Sequence, residues 1–182
     1  ATRGSRKEFP AVAVIVAENA SVTIYDGDDP SMPMWMVFNG GTYKYVREVN
    51  IKSVQMLNGV LFIGGDVQGP SWVNIIADAS IFSLMQSGTN YRHTDPVSGR
   101  NNNSAANRLV VSDSNYYLVN QITNDVAMTV LPDAPIDPAT GLQIPTIAVA
   151  TAGGVSVIKD DGTVVDSAAT FAMFNCAFSS TG

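Results

Sequence analysis

Asn58-Gly59 stands between two apolar runs, Ile51 to Leu57 and Val60-Leu61-Phe62-Ile63-Gly64-Gly65, and this pair constrains the chain more than any other feature. A type I′ turn needs positive φ at both central residues, which Asn-Gly adopts at little cost, so the pair reads as the tip of a β-hairpin. A further strand, Trp72 to Asp78, follows the turn signal Gly69-Pro70-Ser71. Its ending, an apolar run closed by Asp, recurs at Val22-Thr23-Ile24-Tyr25-Asp26 and, one residue longer, at Val155 to Asp160. A chain that repeats one strand-turn unit points to an array of sheets rather than to a scaffold around one catalytic pocket.

The remaining segments fit the same unit. Residues 1–8 are polar and basic and read as an arm or linker, ahead of a β-repeat domain over 9–182. The β-branched run from Phe9 to Val16 predicts a buried strand. Ser21–Tyr25, Pro33–Phe38, Thr42–Val46, Ile81–Met85, Leu109–Val111, Tyr116–Val119 and Ile122–Val130 follow as short strands. Gln86 to Asn107, rich in Ser, Gly and Asn, predicts a long surface loop. His93, the single histidine, lies within it and is expected to be solvated. Pro132, Pro135 and Asp137-Pro138 predict a rigid connection to strands at Ile144–Ala150, Val155–Ile158 and Thr163–Val165. Phe171–Phe178 is expected as the final strand. No window carries the apolar spacing and caps of a helix, so the fold class is all-β.

Phe9-Pro10-Ala11-Val12-Ala13-Val14 matches Ile144-Pro145-Thr146-Ile147-Ala148-Val149 in residue type at every position. Val60–Ile63 followed by Val73–Ile76 reads as a middle copy, and Leu109–Val119 occupies the place of a fourth. The spacing is about 51 residues from Val22 to Val73 and about 82, or twice 41, from Val73 to Val155, within the range of propeller blades. The pattern predicts a propeller-like array of about four blades, part of a larger propeller. A β-sandwich remains the alternative, since it also spaces strands by roughly 8–12 residues.

Composition narrows the functional classes. Only 14% of residues are charged, and the net charge is −6 with ten Lys and Arg. An acidic chain repels phosphate backbones, so no nucleic-acid partner is expected. No stretch reaches the roughly 20 apolar residues that span a bilayer, so no membrane insertion is expected. Cys176 is the single cysteine; Phe174 and Phe178 beside it point to a buried thiol acting as a small hydrophobe. Asp26-Gly27-Asp28-Asp29-Pro30 brings three carboxylates to one turn. That is the best candidate for calcium, although the residue pattern suits a plain turn better and no bidentate Glu follows. Asp26, Asp28, Asp66, Asp78, Asp113 and Asp160 are available as carboxylates for glycan cleavage, but every one sits in a turn context that explains it. Nucleophile, phosphate-loop and zinc motifs are absent from the sequence. No catalytic, cofactor or metal residue is therefore assigned. Trp35, Tyr43, Tyr45, Tyr91, Tyr116 and Tyr117 look exposed and suit burial against partners or stacking on sugars, but the plainer reading, that most of them pack within strands, is the one expected.

The runs Arg3 to Val16, Val22 to Pro30, Pro33 to Phe38 and Ser53 to Gly64 resemble repeat-rich tail-associated proteins of tailed bacteriophages. The resemblance covers roughly the first 85 residues, and Ile144–Val165 more loosely. It implies a propeller-like piece of a longer polypeptide, a structural role in a virion tail or tail fibre, and a contribution to host attachment. The implied partners are other virion proteins or copies of the same chain, with a host-surface glycan as a further ligand. It carries over no catalytic motif. Two alternatives stay open at this point, a glycan-degrading tail enzyme and a cellular propeller that serves as an interaction platform.

Overall fold

The computed structural model describes residues 9–41, 44–47, 50–83, 90–93, 95–102, 108–111, 117–167 and 171–179. The arm at 1–8, Tyr43, Asp113, Tyr116, parts of the 86–107 stretch and the end at 180–182 lie outside these residues. Within them the regular elements are strands, apart from one 3-10 turn at Val97–Gly99.

The strands form three antiparallel sheets, each a meander in chain order. Sheet 1 holds β1 (Ala13–Glu18), β2 (Ser21–Asp26) and β3 (Met34–Asn39). Sheet 2 holds β4 (Ile51–Leu57), β5 (Val60–Gly65), β6 (Ser71–Asn74), β7 (Ala79–Ser83), β8 (Asn90–His93) and β9 (Arg108–Val111). Sheet 3 holds β10 (Thr123–Thr129), β11 (Thr146–Thr151), β12 (Gly154–Ile158) and β13 (Val164–Asp166). None closes into a barrel: the order in each sheet runs from one edge strand to another.

The Asn58-Gly59 hairpin forms as its residues require. Leu57 pairs with Val60 across a two-residue turn, and Asn58 and Gly59 have φ of 49° and 78°. Both values are positive, as a type I′ turn demands. A side chain at position 59 has no room, because its Cβ would lie 2.4 Å from Ile76 Cδ1.

Sheet 2 lies between the other two, and β5 shows why. Successive strand residues face opposite ways. Leu61 and Ile63 pack with Val22, Ile24 and Phe38 of sheet 1. Val60 and Phe62 pack with Val126, Ile147, Val149 and Ile158 of sheet 3. Every residue of β5 is buried. A strand covered on both faces reads as a continuous apolar run rather than an alternating one, and that is how Val60-Leu61-Phe62-Ile63 reads. Each large side chain so buried stabilises the fold by about 1.5–3 kcal/mol. Hydrogen bonds tie β4 to β10: the Ser53 hydroxyl donates to Asp125 Oδ1 at 3.1 Å and accepts from the Val126 amide at 3.2 Å.

Several expected boundaries move. The first strand begins at Ala13, not Phe9, because the Asp28 carboxylate accepts hydrogen bonds from the amides of Ala11 and Val12 and holds them off the sheet. Residues 44–47 are not a strand. Gly41 and Val46 close a tight loop, with the Gly41 amide donating to the Val46 carbonyl at 2.9 Å, and Tyr45 and Val46 are both buried. The strand expected over Trp72–Asp78 stops at Asn74. There Asn74 Oδ1 accepts from the Ala77 amide, and Asp78 takes a positive φ of 50°. Phe171–Phe178 is extended but joins no sheet; its partners are Thr151, Asn124, Asp125 and Ala148. Tyr117–Val119 is likewise not a strand, and β9 pairs with β8 instead.

The stretch 86–107 is not one polar loop. It contributes β8, and residues 95–102 close the sheet 1 core. Asn101 Nδ2 and Arg100 Nε both donate to the Val37 carbonyl on β3, and the Asn39 amide donates to Asn101 Oδ1 at 2.7 Å. Polar side chains thus satisfy the open edge of β3, a backbone row that otherwise invites pairing with another chain.

Candidate functional site

Sheets 2 and 3 separate at one rim of their shared core and leave a cleft of about 230 Å³. Trp72, Val60 and Asn74 line its sheet 2 side. They sit together because Val60 pairs with Asn74 and because Trp72 and Asn74, two apart on β6, share a face. The opposite wall comes from residues 137–145 and the turn 160–162. An isolated bridge between Ile136 and Gln143 folds the first of these segments back on itself, and Gly141 takes φ of 72° at its tip.

Two hydrogen bonds fix the wall to sheet 2. Asn58 Nδ2 donates to the Gln143 carbonyl at 2.8 Å, and Asn74 Nδ2 donates to Asp137 Oδ2 at 3.1 Å. The Asn-Gly turn therefore has a second use, since its Asn side chain anchors the wall. Asp161 lies at the mouth. Its carboxyl is held below the usual carboxylate range, first by the Thr163 hydroxyl and then by the Thr163 amide. Among the described residues, three carboxylates line the cleft, those of Asp137, Asp160 and Asp161, and no Lys, Arg or His does. Its polar wall is rich in hydrogen-bond acceptors, and its apolar part includes one indole.

Of the described carboxylates weighed for catalysis, only Asp160 reaches this cleft, and Asp113 lies outside the described residues. Asp66 accepts from Asn50 Nδ2 and pairs with Lys52 at 3.4 Å. Asp78 accepts from the Val97 amide at 2.9 Å. Asp28 holds the amides of Ala11 and Val12, Asp26 accepts from the Asp28 amide, and Asp29 accepts from the Ser31 amide and hydroxyl. The Asp26–Asp29 carboxylates are thus engaged by their own chain. Among the described residues no group of three or more His, Cys, Asp or Glu is arranged to hold a metal.

The described Trp and Tyr rings singled out above pack within the fold, as expected for most of them. Trp35 is buried and meets Phe9 edge-on, with ring centroids 5.1 Å apart. Tyr45 is also buried, and Tyr91 lies beneath the Arg47 guanidinium at 4.8 Å. His93 is a further correction: it is buried on β8 and packs against the Tyr45 ring, with centroids 4.6 Å apart. The Tyr45 hydroxyl donates to the carbonyls of Asp95 and Pro96. Burial pushes its ionisation up, and the nearby Asp95 and Asp78 push it further. Cys176 is half-buried rather than enclosed. Its Sγ donates to the Ala148 carbonyl, burial raises its pKa, and Phe174 beside it is exposed.

Trp72, Asp137 and Asp161 were not singled out by residue pattern. A signal was present: Trp72 and Asn74 alternate on a strand with the apolar Val73 between them, and Ile75 directly follows the strand. The partners that complete the cleft come from more than 60 positions further along. Compared with family models, with curated proteins and with solved structures, the chain matches none.

Proposed function

We propose that this chain is a non-catalytic structural module of a tailed-phage virion, in the tail or a tail-associated fibre, built as a propeller-like array of stacked sheets. The observation that carries the reading is the outer side of sheet 3. Phe171 and Phe174 are 74% and 77% exposed on the segment that lies against β10 and β11, and Val165 is exposed on the edge strand β13. Large apolar side chains exposed on one sheet and on the segment that covers it fit a place where another surface belongs. A middle sheet with a separate core on each face supports an array over a two-layer sandwich. The residue runs between Arg3 and Gly64 that resemble tail-associated proteins support the virion setting.

In this reading the partners are further sheets of the same polypeptide, neighbouring copies or other virion proteins, and the chain turns nothing over. The test is immunogold labelling of intact particles with an antibody raised against this chain. Label on the tail is the expected result; unlabelled tails overturn the reading. Release of reducing sugar from host polysaccharide by the purified protein would overturn its non-catalytic part.

A further inference from the structure

The cleft beside Trp72 has more built into it than a gap between two twisted sheets requires. We propose that it binds one ring of a neutral saccharide, with the Trp72 indole as the stacking face. This does not rest on the virion reading.

Three features argue for it. First, the site is formed before any ligand arrives. The Asn58–Gln143 and Asn74–Asp137 hydrogen bonds hold the far wall at a fixed distance from β6, so little is lost in ordering it. Second, the cleft pairs an apolar surface with acceptors. Trp72, Val60, Leu142 and Pro145 offer surface for the C–H faces of a sugar ring, while Asp160, Asp161 and Gln143 offer oxygens to its hydroxyls. Tryptophan suits such a place because its large face packs at a small cost in side-chain entropy. Third, the charge excludes the acidic classes of ligand. With three carboxylates and no cation among the described lining residues, a phosphate, a sulfate or a sugar acid would be repelled.

A cationic ligand is the rival, since an indole with carboxylates near it also attracts ammonium groups. The hydrogen bonding disfavours it. Both Asp137 oxygens already accept bonds, from the Ala139 amide and from Asn74. Asp161 is fully exposed, and one of its oxygens is taken by Thr163. Asp160, half-buried, remains as the main carboxylate to face a cation, and a single carboxylate open to water holds an ammonium weakly. A hydroxylated ring, by contrast, needs only acceptors and a flat apolar face.

The test is isothermal titration calorimetry of the whole chain with cellotetraose, mannotetraose and chitotetraose, and with N-butylammonium as the cationic probe. At least one oligosaccharide is expected to bind with an affinity that rises little or falls little when salt is raised. Trp72→Ala is expected to weaken it by roughly tenfold, the order of one aromatic contact. Because Trp72 also packs against the core, Leu142→Trp serves as the second variant: it fills the cleft from the exposed wall and should abolish binding while leaving the melting temperature unchanged. Asp160→Asn keeps an acceptor oxygen and should retain the sugar. No binding by any of the three oligosaccharides overturns the proposal. So does binding that survives Leu142→Trp, or salt-sensitive binding of N-butylammonium that Asp160→Asn removes while sugars fail to bind.

Discussion

The hairpins β1–β2 and β11–β12 are near-copies in sequence, and the molecule treats them differently. Both turn in two residues, with Glu18 opposite Ser21 in one and Thr151 opposite Gly154 in the other. Counted back from those turns, Val14 and Val16 correspond to Ile147 and Val149. Ile147 and Val149 face sheet 2 and are buried in the core it shares with sheet 3. Val14 and Val16 face away, and Ala13 and Ile15 meet the middle sheet instead. The reason is geometric. Sheets 1 and 3 lie on opposite sides of sheet 2, so the same pleat position looks inward in one and outward in the other. β11 is also flanked by β10 and β12 and bears segment 171–179, whereas β1 is an edge strand.

The largest expected effect tests the premise that sheet 2 is the shared layer. Phe62→Ala removes a fully buried ring from the sheet 2–sheet 3 core and should destabilise the chain by about 3–5 kcal/mol. Phe174→Ala, on exposed surface, should shift the denaturation midpoint of the isolated chain very little. Equal losses in a urea titration would mean that the stack is not what holds the fold.

The matched pair Val149→Ala and Val16→Ala tests the hairpins themselves. Val149 is fully buried and should lose about 2 kcal/mol. Val16, 41% exposed, should lose about 0.5 kcal/mol or less. If the two midpoints move together, the hairpins are equivalent after all and the opposed facing is wrong.

A smaller effect belongs to the start of β1. Asp28→Ala leaves the amides of Ala11 and Val12 without their carboxylate and should cost about 1 kcal/mol. Amide exchange should quicken at residues 11 and 12, with β11 unaffected. Unchanged exchange there would show that the carboxylate does not set where β1 begins.

The smallest effect concerns the cover on sheet 3. Burial raises the Cys176 pKa above its ordinary value, so the fold favours the neutral thiol. Its contribution is complete below the ordinary thiol pKa, about 8.5, and is lost as pH rises through the folded value. Alkylation by iodoacetamide near that pH should be slower in the native chain than in urea. Equal rates would mean that segment 171–179 does not rest on β10 and β11.

The two end hairpins were legible because a two-residue turn and a few β-branched residues carry their own information. The repeat read from them is out of step: residues 9–14 were matched to 144–149, whereas the turns set Val14 against Ile147 and Val16 against Val149. Its middle member was harder to place. Val60–Ile63 and Val73–Ile76 looked like one strand pair of the repeat, but the hairpin with a matching two-residue turn is β4–β5. Residues 86–107 misled for a related reason. Their polarity reads as solvation, yet Arg100 and Asn101 spend it on the edge of β3, and His93 lies against Tyr45. Polar side chains that satisfy a distant backbone look the same in sequence as polar side chains in water. The cleft escaped notice because Trp72 and Asp137 become neighbours only through the stacking of two sheets.

By itself the sequence determined that the chain is built of short antiparallel strands, where the tightest hairpin turns, and that β5 is apolar throughout. These follow from φ preference, strand propensity and side-chain alternation, all of which act over a few residues. Only the tertiary structure decided how the strands divide among three sheets, which sheet lies in the middle, which way each pleat faces, and that an indole and three carboxylates line one rim. Those are contacts between residues far apart in the chain, set by which apolar faces can be covered together, and a local pattern does not say which face will find which.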